Sequence, residues 1–119
     1  MKLSARNILK GTVAGVKKGA VNTEVILTLK GGASIASVIT NTSADNLALK
    51  EGKEAFAMIK ATNVIIGADL DPAKVSARNV LCGTVTKIVE GPVSAEIDLD
   101  LGGATLTAVI TEASAKKLG

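Results

Sequence analysis

The fold is decided by the stretch Ser4-Ala5-Arg6-Asn7-Ile8-Leu9-Lys10-Gly11-Thr12-Val13, because this stretch occurs twice. It returns as Ser76-Ala77-Arg78-Asn79-Val80-Leu81-Cys82-Gly83-Thr84-Val85. The similarity continues beyond the motif, since residues 31–33 and 38–40 return, after a one-residue deletion, as residues 102–104 and 109–111. About half of the paired positions are identical, which indicates a tandem duplication. The chain is therefore predicted to contain two copies of one structural unit.

The composition favours a strand-rich fold without aromatic packing. The 119 residues are 47% hydrophobic but only 1% aromatic, with Phe56 as the single aromatic residue. The core must therefore consist of Val, Ile, Leu and Ala side chains, which pack well on a pleated sheet. A unit of about 65 residues buries a modest core, so we expect the units to gain stability by packing on a neighbour or by oligomerising.

The order of turns and alternating segments predicts the elements of the first copy. Strands are expected at residues 4–16, 21–29, 33–40, 54–60 and 63–66, and Thr42 or Ser43 is expected to cap a short helix reaching Ala48. Three strands, a helix and two strands are the order of a small five-stranded barrel of the OB type. The second copy is predicted to repeat the first three strands between residues 76 and 111, followed by a helix at 112–117.

These elements predict an all-β fold with one short helix per repeat, arranged as tandem OB-fold-like barrels. The expected boundaries are a first domain at 2–67, a linker at 68–73 and a second domain at 74–119. Nothing in the second copy corresponds to residues 49–67. The second barrel is therefore expected to be incomplete within the chain, lacking its last two strands and leaving sheet edges open.

Charge and reactive residues argue against several functional classes. The net charge is +3, but the cations are scattered and form no polybasic patch for nucleic acid. There is no His, and Cys82 is the only Cys, so no cluster of metal ligands and no activated nucleophile is present. The carboxylates Glu96, Asp98 and Asp100 alternate along a strand and are expected to face solvent. We therefore expect no enzyme. With no long apolar run and no signal sequence, a soluble cytoplasmic protein is expected.

Three motifs together resemble the Mop, or molbindin, family. They are the repeated Ser-Ala-Arg-Asn, the Gly-Ala-Val-Asn-Thr-Glu-Val at residues 19–25, and the Lys-Ala-Thr-Asn-Val at residues 60–64. Members of this family are small OB-like domains that bind molybdate and tungstate, and they are related to the TOBE domains of molybdate transporters and regulators. The resemblance implies a bound molybdate or tungstate. It also implies a homo-oligomer, a trimer of two-unit chains, with anion sites at its interfaces.

The resemblance also implies the residues that line the oxyanion site. Molybdate is a tetrahedral dianion whose oxygens only accept hydrogen bonds, so its site needs hydroxyls, amides and cations. Ser4 and Thr62 offer hydroxyls, Arg6 and Lys60 offer charge, and the backbone offers amides. The expected site residues are Ser4, Ala5, Arg6, Lys60, Ala61 and Thr62, with Ser76, Ala77 and Arg78 as their counterparts in the second copy. Without the resemblance, Arg6 and Lys60 would be interpreted as solvated charges at strand ends.

A second kind of oxyanion site is expected in two turns, where backbone amides can converge on an anion. Its residues are Gly19, Val21 and Asn22 in the first copy and Gly91, Val93 and Ser94 in the second. An ordinary hairpin is the alternative interpretation of both turns.

The first functional interpretation is an intracellular oxyanion binder for molybdenum storage and homeostasis. The second is an oxyanion-sensing module of a molybdate-responsive regulator or transporter ATPase. The third is an OB-fold binder of single-stranded nucleic acid, which is disfavoured because such proteins stack bases on aromatic side chains. We expect no nucleic-acid partner and no membrane partner.

Overall fold

The structure is a computed structural model and describes residues 5–119. Its strands are β1 (Asn7–Lys18), β2 (Asn22–Leu29), β3 (Ser34–Thr40), β4 (Glu54–Ile59), β5 (Thr84–Glu90), β6 (Ser94–Asp100) and β7 (Thr105–Thr111). One short helix follows the third strand of each repeat: α1 (Asn41–Asn46) in the first repeat and α2 (Glu112–Leu118) in the second. Two 3-10 turns, Ala61–Asn63 and Pro72–Lys74, lie in the connection between the repeats.

The strands form two antiparallel sheets, one in each repeat. The first has the order β3-β2-β1-β4 and the second has the order β5-β6-β7. Both repeats have the same irregularity in their first strand, where the pairing skips Ala14 in β1 and Thr86 in β5. The prediction of an all-β fold with one short helix per repeat, and with an incomplete second unit in this chain, is confirmed.

The two sheets share one hydrophobic core. Alternation along β2 buries Thr23, Val25, Leu27 and Leu29 on one face. The same cluster of buried side chains also contains Leu101 and Leu106 from the second repeat. Apolar burial contributes about 25 cal/mol per Å² of area removed from water. The repeats therefore stabilise each other, because neither sheet closes this core alone.

The glycine pairs at the ends of β2 and β6 bring the two repeats into backbone contact. Gly31 has a φ of +96°, and a Cβ added there would lie 2.3 Å from the carbonyl oxygen of Gly102. Gly103 has a φ of +155°, and a Cβ added there would lie 2.8 Å from the carbonyl oxygen of Lys30. Glycine is required at both positions, since any side chain would clash with the other repeat and strain the turn.

Each short helix begins one residue after a threonine that caps it. Thr40 accepts a hydrogen bond from the backbone N–H of Ser43 at 3.1 Å, and Thr111 accepts one from Ser114 at 3.1 Å. A hydroxyl in this position satisfies an amide that the first helical turn leaves unpaired. The prediction that Thr42 or Ser43 is the cap was wrong, because the strand passes directly into the helix at residue 41.

The predicted fifth strand at residues 63–66 is absent among the described residues. The chain instead turns at Ala61–Asn63 and packs against β7 of the second repeat, where Ala61 is buried. The reason lies in the register of β4, because Ile59 already pairs with Asn7, the first residue of β1. Beyond Ile59 the edge of β1 ends, so no partner remains for another strand in this sheet.

The repeated Ser-Ala-Arg-Asn motif leads into different structures in the two repeats. Residues 7–10 belong to β1 and pair only with β4, since the pairing of β1 with β2 begins at Gly11. The equivalent residues 79–82 are not in a strand, and β5 begins at Thr84. The prediction of a strand starting at Ser76 was therefore wrong. A strand needs a hydrogen-bonding partner, and no second counterpart of β4 occurs among residues 5–119.

The asparagines of the two motifs cross the boundary between the repeats. The side-chain amide of Asn7 donates to the carbonyl oxygen of Thr107 at 2.7 Å, and the N–H of Thr107 donates back to Asn7 at 2.7 Å. Asn79 makes the same two bonds with the backbone of Ala36, at 2.8 and 2.7 Å. Ala36 and Thr107 occupy equivalent positions in β3 and β7. The two repeats are thus related by an approximate two-fold symmetry.

Replacing Asn7 by Ala is expected to destabilise the fold more than replacing Asn79. Asn7 is 2% exposed whereas Asn79 is exposed, so water can replace only the bonds of Asn79. We expect Asn7→Ala to lower the free energy of unfolding by about 1–3 kcal/mol, the cost of leaving buried polar groups unpaired. Asn79→Ala, the matched control, should cost about 0.5–1.5 kcal/mol. Urea denaturation measures both, and an equal cost for the two variants would contradict this account.

Candidate functional site

The two segments predicted to line the oxyanion site are neighbours in the first sheet. Asn7 pairs with Ile59 in the antiparallel register of β1 and β4. The pairing ends at these two residues, so Arg6 and Lys60 are the residues that directly adjoin the last pair. Ser4 lies outside the described residues. The two segments that the sequence suggested for one site therefore adjoin the same end of the β1–β4 ladder.

The second repeat closes one side of this region. The Ala61–Asn63 turn packs on β7, and Asn7 bonds to Thr107 in the same strand. Arg6 forms an ion pair with Glu96 of β6 through its Nη2 atom. We call this region, formed by residues 5–7 and 60–62 against β6 and β7, the first boundary.

Of the two cations at the first boundary, Arg6 forms an ion pair within residues 5–119 and Lys60 does not. The hydrogen bond from Arg6 to Glu96, helped by the negative charge of that carboxylate, raises the pKa of Arg6. A guanidinium has five N–H donors, so the pairing with Glu96 leaves donors for another ligand. Lys60 is exposed and forms no ion pair with any residue from 5 to 119. An anion entering here meets one positioned guanidinium and one uncompensated ammonium.

The carboxylates that pair with the two arginines were not predicted from the sequence. Glu96 is partly buried and bonds to Arg6, and Asp98 accepts a hydrogen bond from the hydroxyl of Thr107 at 2.8 Å. The expectation that both face solvent was wrong. A signal was present, because Glu24 and Glu96 occupy equivalent positions in the two copies. A carboxylate repeated together with an arginine indicates a repeated ion pair.

The second boundary is the symmetric counterpart and contains only part of the donor set. Ser76, Ala77 and Arg78 are exposed, and Arg78 pairs with Glu24 of β2 at 2.9 Å. Asn79 bonds to Ala36 of β3. Within the described part of the chain, no second Lys-Ala-Thr segment lies beside this motif. The structure thus has one boundary with both segments and one with the Ser-Ala-Arg segment alone.

A groove next to the first boundary combines residues of the two predicted kinds of site. Its volume is about 450 Å³, and it runs between the segment after β4 and the end of β7. Thr62 lines it together with Val93 and Ser94, which the sequence assigned to the turn-based site. The turn containing Gly19 does not line this groove.

Both predicted turn sites have the geometry of hairpins. The N–H of Gly19 donates to the carbonyl oxygen of Asn22 at 2.8 Å, and the N–H of Gly91 donates to that of Ser94 at 2.9 Å. These two amides are therefore engaged within the turns. Val21 and Val93 lie exposed at the turn tips. Anion binding by the remaining groups of these turns stays a prediction.

Two further features are absent from the described residues. Residues 5–119 contain no helix that is long and apolar enough to span a bilayer. The same residues place no three His, Cys, Asp or Glu side chains where they could hold a metal ion.

Comparison with known proteins assigns the family. The TOBE domain profile matches residues 3–66 and 75–119, which together cover most of the chain. The chain belongs to the TOBE domain family. The resemblance to Mop proteins that the sequence motifs suggested is thereby confirmed.

Several relatives carry names connected with molybdenum. The chain is 49% identical over 120 residues to the molybdenum-pterin-binding protein MopA of Rhodobacter capsulatus, covering 100% of this chain and 45% of that protein. It is 45% identical to the molybdenum transport protein ModE of Azotobacter vinelandii, covering 100% of this chain and 44% of that protein. The chain thus spans less than half the length of these two relatives.

A solved structure matches the fold over the whole chain. This is the cytoplasmic molybdate-binding protein ModG, crystallised with molybdate bound. The TM-score is 0.92 at 47% sequence identity, and the match covers 100% of this chain and 85% of that chain. At this identity the likeness extends beyond the fold to the arrangement of the two repeats.

Reversing the charge of Arg78 is expected to destabilise the fold slightly and to be rescued by the opposite change. Arg78→Glu places two carboxylates together, and Glu24→Arg combined with it restores an ion pair. Because the pair is exposed, the coupling should be about 0.2–1 kcal/mol. A double-mutant cycle in urea measures it, with the Lys10–Glu54 pair at 3.0 Å within the first repeat as the control. A double variant less stable than both single variants would contradict a direct contact.

Proposed function

We propose that this chain binds molybdate at the first boundary. The observation that supports the proposal is the register of β1 and β4, whose last pair, Asn7 with Ile59, is flanked in sequence by Arg6 and Lys60. Relatives named for molybdenum, and a molybdate-bound structure at 47% identity, support the choice of anion. The proposed donors are the Arg6, Lys60, Thr62 and Ser4 side chains and the backbone near Ala5 and Ala61.

The donor set suits a dianion that only accepts hydrogen bonds. Charge-assisted bonds from guanidinium and ammonium groups are about twice as strong as neutral ones. The carboxylate of Glu96 holds the guanidinium in place and lowers the net positive charge of the site. The site therefore relies on directed donors as well as on charge, and this favours anions whose oxygens reach all of them.

Tungstate has the same charge and tetrahedral shape as molybdate, and we propose that it binds at the same site. Sulfate is smaller, so fixed donors would be left partly unpaired around it. We therefore propose that the site selects the larger oxyanions over sulfate.

The biological role that we propose is storage and buffering of molybdenum inside the cell, without enzymatic activity. The alternative is an oxyanion-sensing module of a larger protein. The match to less than half of a molybdenum transport protein supports this alternative. The two roles use the same binding site and differ in whether a further domain responds to the bound anion.

We expect calorimetric titration to show molybdate and tungstate binding, with much weaker binding of sulfate and no binding of a single-stranded oligonucleotide. Arg6→Ala and Lys60→Ala should each weaken molybdate binding by roughly tenfold to a hundredfold, the range for a lost charged hydrogen bond. Lys74→Ala, an exposed lysine in the connecting segment, is the control. Unchanged affinity in both of the first two variants would place the site elsewhere.

The number of sites of this type should be at most one per chain, because each chain has a single Lys-Ala-Thr segment. The surplus Ser-Ala-Arg segment at the second boundary lacks the ammonium and the threonine hydroxyl. Equilibrium dialysis of the Lys60→Ala protein measures the count. Two tightly bound molybdate ions per chain in that variant would refute the need for both segments.

We further propose that the chain forms a homo-oligomer, a trimer of two-unit chains. The support is the small core of each repeat and the apolar side chains that remain exposed on β5, such as Ile88 at 53%. Light scattering should give a mass near three times the 12.0 kDa of one chain. A stable monomer at micromolar concentration would contradict this proposal.

A further inference from the structure

A crevice opens on the outer face of the first sheet, where β1 separates from β2. The pairing of the two strands begins at Gly11 and Leu29, and residues 7–10 pair with β4 alone. The side of β1 that faces β2 is therefore open over these residues. The crevice has a volume of about 530 Å³, and Gly103 of the second repeat contributes to its wall.

Cationic and hydroxyl side chains line this crevice. Lys10 and Lys30 contribute to it, together with Thr12 and Thr28. Lys10 pairs with Glu54 at 3.0 Å, but both side chains are exposed, and an exposed ion pair contributes little. Lys30 is exposed and forms no ion pair within the described part of the chain. Positive charge is therefore in excess here, and the crevice favours an anion.

An apolar surface continues from the crevice along β1 and β4. Lys10 lies directly opposite Phe56 in the ladder of these strands, and Ile8 lies opposite Met58. Residues paired in this way share one face of the sheet and have Cβ atoms about 4.5–5.5 Å apart. Phe56 is 53% exposed and is the only aromatic residue of the chain, and Met58 is 49% exposed. An exposed aromatic ring thus lies next to a cation of the crevice.

The equivalent positions of the second repeat carry a different charge. Cys82 replaces Lys10, and Asp100 replaces Thr28. Lys30 is the residue that the second copy lacks after Leu101. The fold that both repeats share therefore does not require the two lysines, and the excess of positive charge is specific to the first repeat.

We propose that this crevice, together with the adjoining Phe56, binds a small planar aromatic anion. The anionic group lies between Lys10 and Lys30, because charge-assisted hydrogen bonds are the strong ones. The ring system lies against Phe56 and Ile8, since aromatic pairs attract each other in offset-stacked and edge-to-face arrangements. The volume of about 530 Å³ is typical of pockets for small molecules.

The ligand needs both a ring and a negative charge. An inorganic oxyanion would contact the lysines but would leave the surface of Phe56 exposed to water. A neutral aromatic molecule would leave Lys30 without a partner. We therefore expect an aromatic carboxylate, sulfonate or phosphate to bind here more tightly than either. None of residues 5–7 and 60–62 lines the crevice, so this site is separate from the first boundary.

Fluorescence titration of the full chain with anilinonaphthalene sulfonate, an aromatic anion, tests the proposal. We expect saturable binding of one dye per chain. Lys10→Gln and Lys30→Gln should each weaken it about tenfold, through the loss of a charged hydrogen bond. Phe56→Leu should weaken it about two- to tenfold, through the loss of one aromatic pair. Lys87→Gln, at an exposed lysine of β5, is the matched control and should leave the affinity unchanged.

The methyl group of Met58 reports where the dye binds. The chain has two methionines, Met1 and Met58, so carbon-13 labelling of their methyl groups gives two signals, and Met58→Leu assigns them. A ring bound beside Phe56 should shift the Met58 signal through its ring current. The uncharged analogue phenylnaphthylamine should bind at least about tenfold more weakly than the sulfonate, because it offers the lysines no charge.

The expected result is a shift of the Met58 signal that saturates together with the fluorescence and that Lys30→Gln weakens. Equal affinity of the uncharged analogue, unchanged affinity in both lysine variants, or an unchanged Met58 signal would overturn the proposal. Excess molybdate, added last, should not displace the dye, and displacement would contradict a separate site. Because the titration itself contains no molybdate, this inference and the proposed function can fail independently.

Discussion

Two asparagine side chains connect the repeats. Each makes the pair of hydrogen bonds to an edge strand that one residue of a neighbouring strand would make. The carboxamide of Asn7 both donates to and accepts from the backbone of Thr107, as a neighbouring peptide group would. Edge strands expose unpaired amides and carbonyls, and these need partners when they are buried. Asn7 supplies these hydrogen-bonding partners on β7, the strand against which the Ala61–Asn63 turn packs. This constraint fixes where the start of β1 crosses the second repeat, and the positions of its neighbours in sequence follow.

The candidate site is a consequence of that crossing. Arg6 precedes Asn7 by one residue, so it reaches β6 and meets Glu96. Lys60 follows Ile59, the residue paired with Asn7, so Arg6 and Lys60 adjoin the same residue pair. Lys60 then leads into the turn on β7 that buries Ala61. Both cations therefore stand next to the end of the backbone ladder, and the carboxylate of Glu96 holds Arg6 there. A flexible pair of surface cations would lose more conformational freedom on binding an anion.

Local patterns were sufficient for the strands that pair within one repeat. The alternation along β2, the glycine turns and the position of the third strand all depend on contacts within a few tens of residues. The failures occurred where the partner lies in the other repeat. The segment after Ile59 has the residues of a strand, but β1 offers no further edge, so the chain turns onto β7 instead. The ion pair between Arg6 and Glu96 joins residues 90 positions apart, and only their repetition in both copies pointed to it.

The two copies of Ser-Ala-Arg-Asn show how far such a motif determines structure. In both copies the arginine forms an ion pair with a glutamate of the opposite repeat, and the asparagine hydrogen-bonds to the backbone of that repeat. These contacts therefore depend on the motif and on the symmetry alone. Strand formation differs, because it requires hydrogen bonds from a third segment, and residues 5–119 supply that segment at the first boundary alone. The same segment carries Lys60 and Thr62. Completion of the strand and completion of the donor set are therefore coupled in this fold, and a boundary that lacks the segment lacks both.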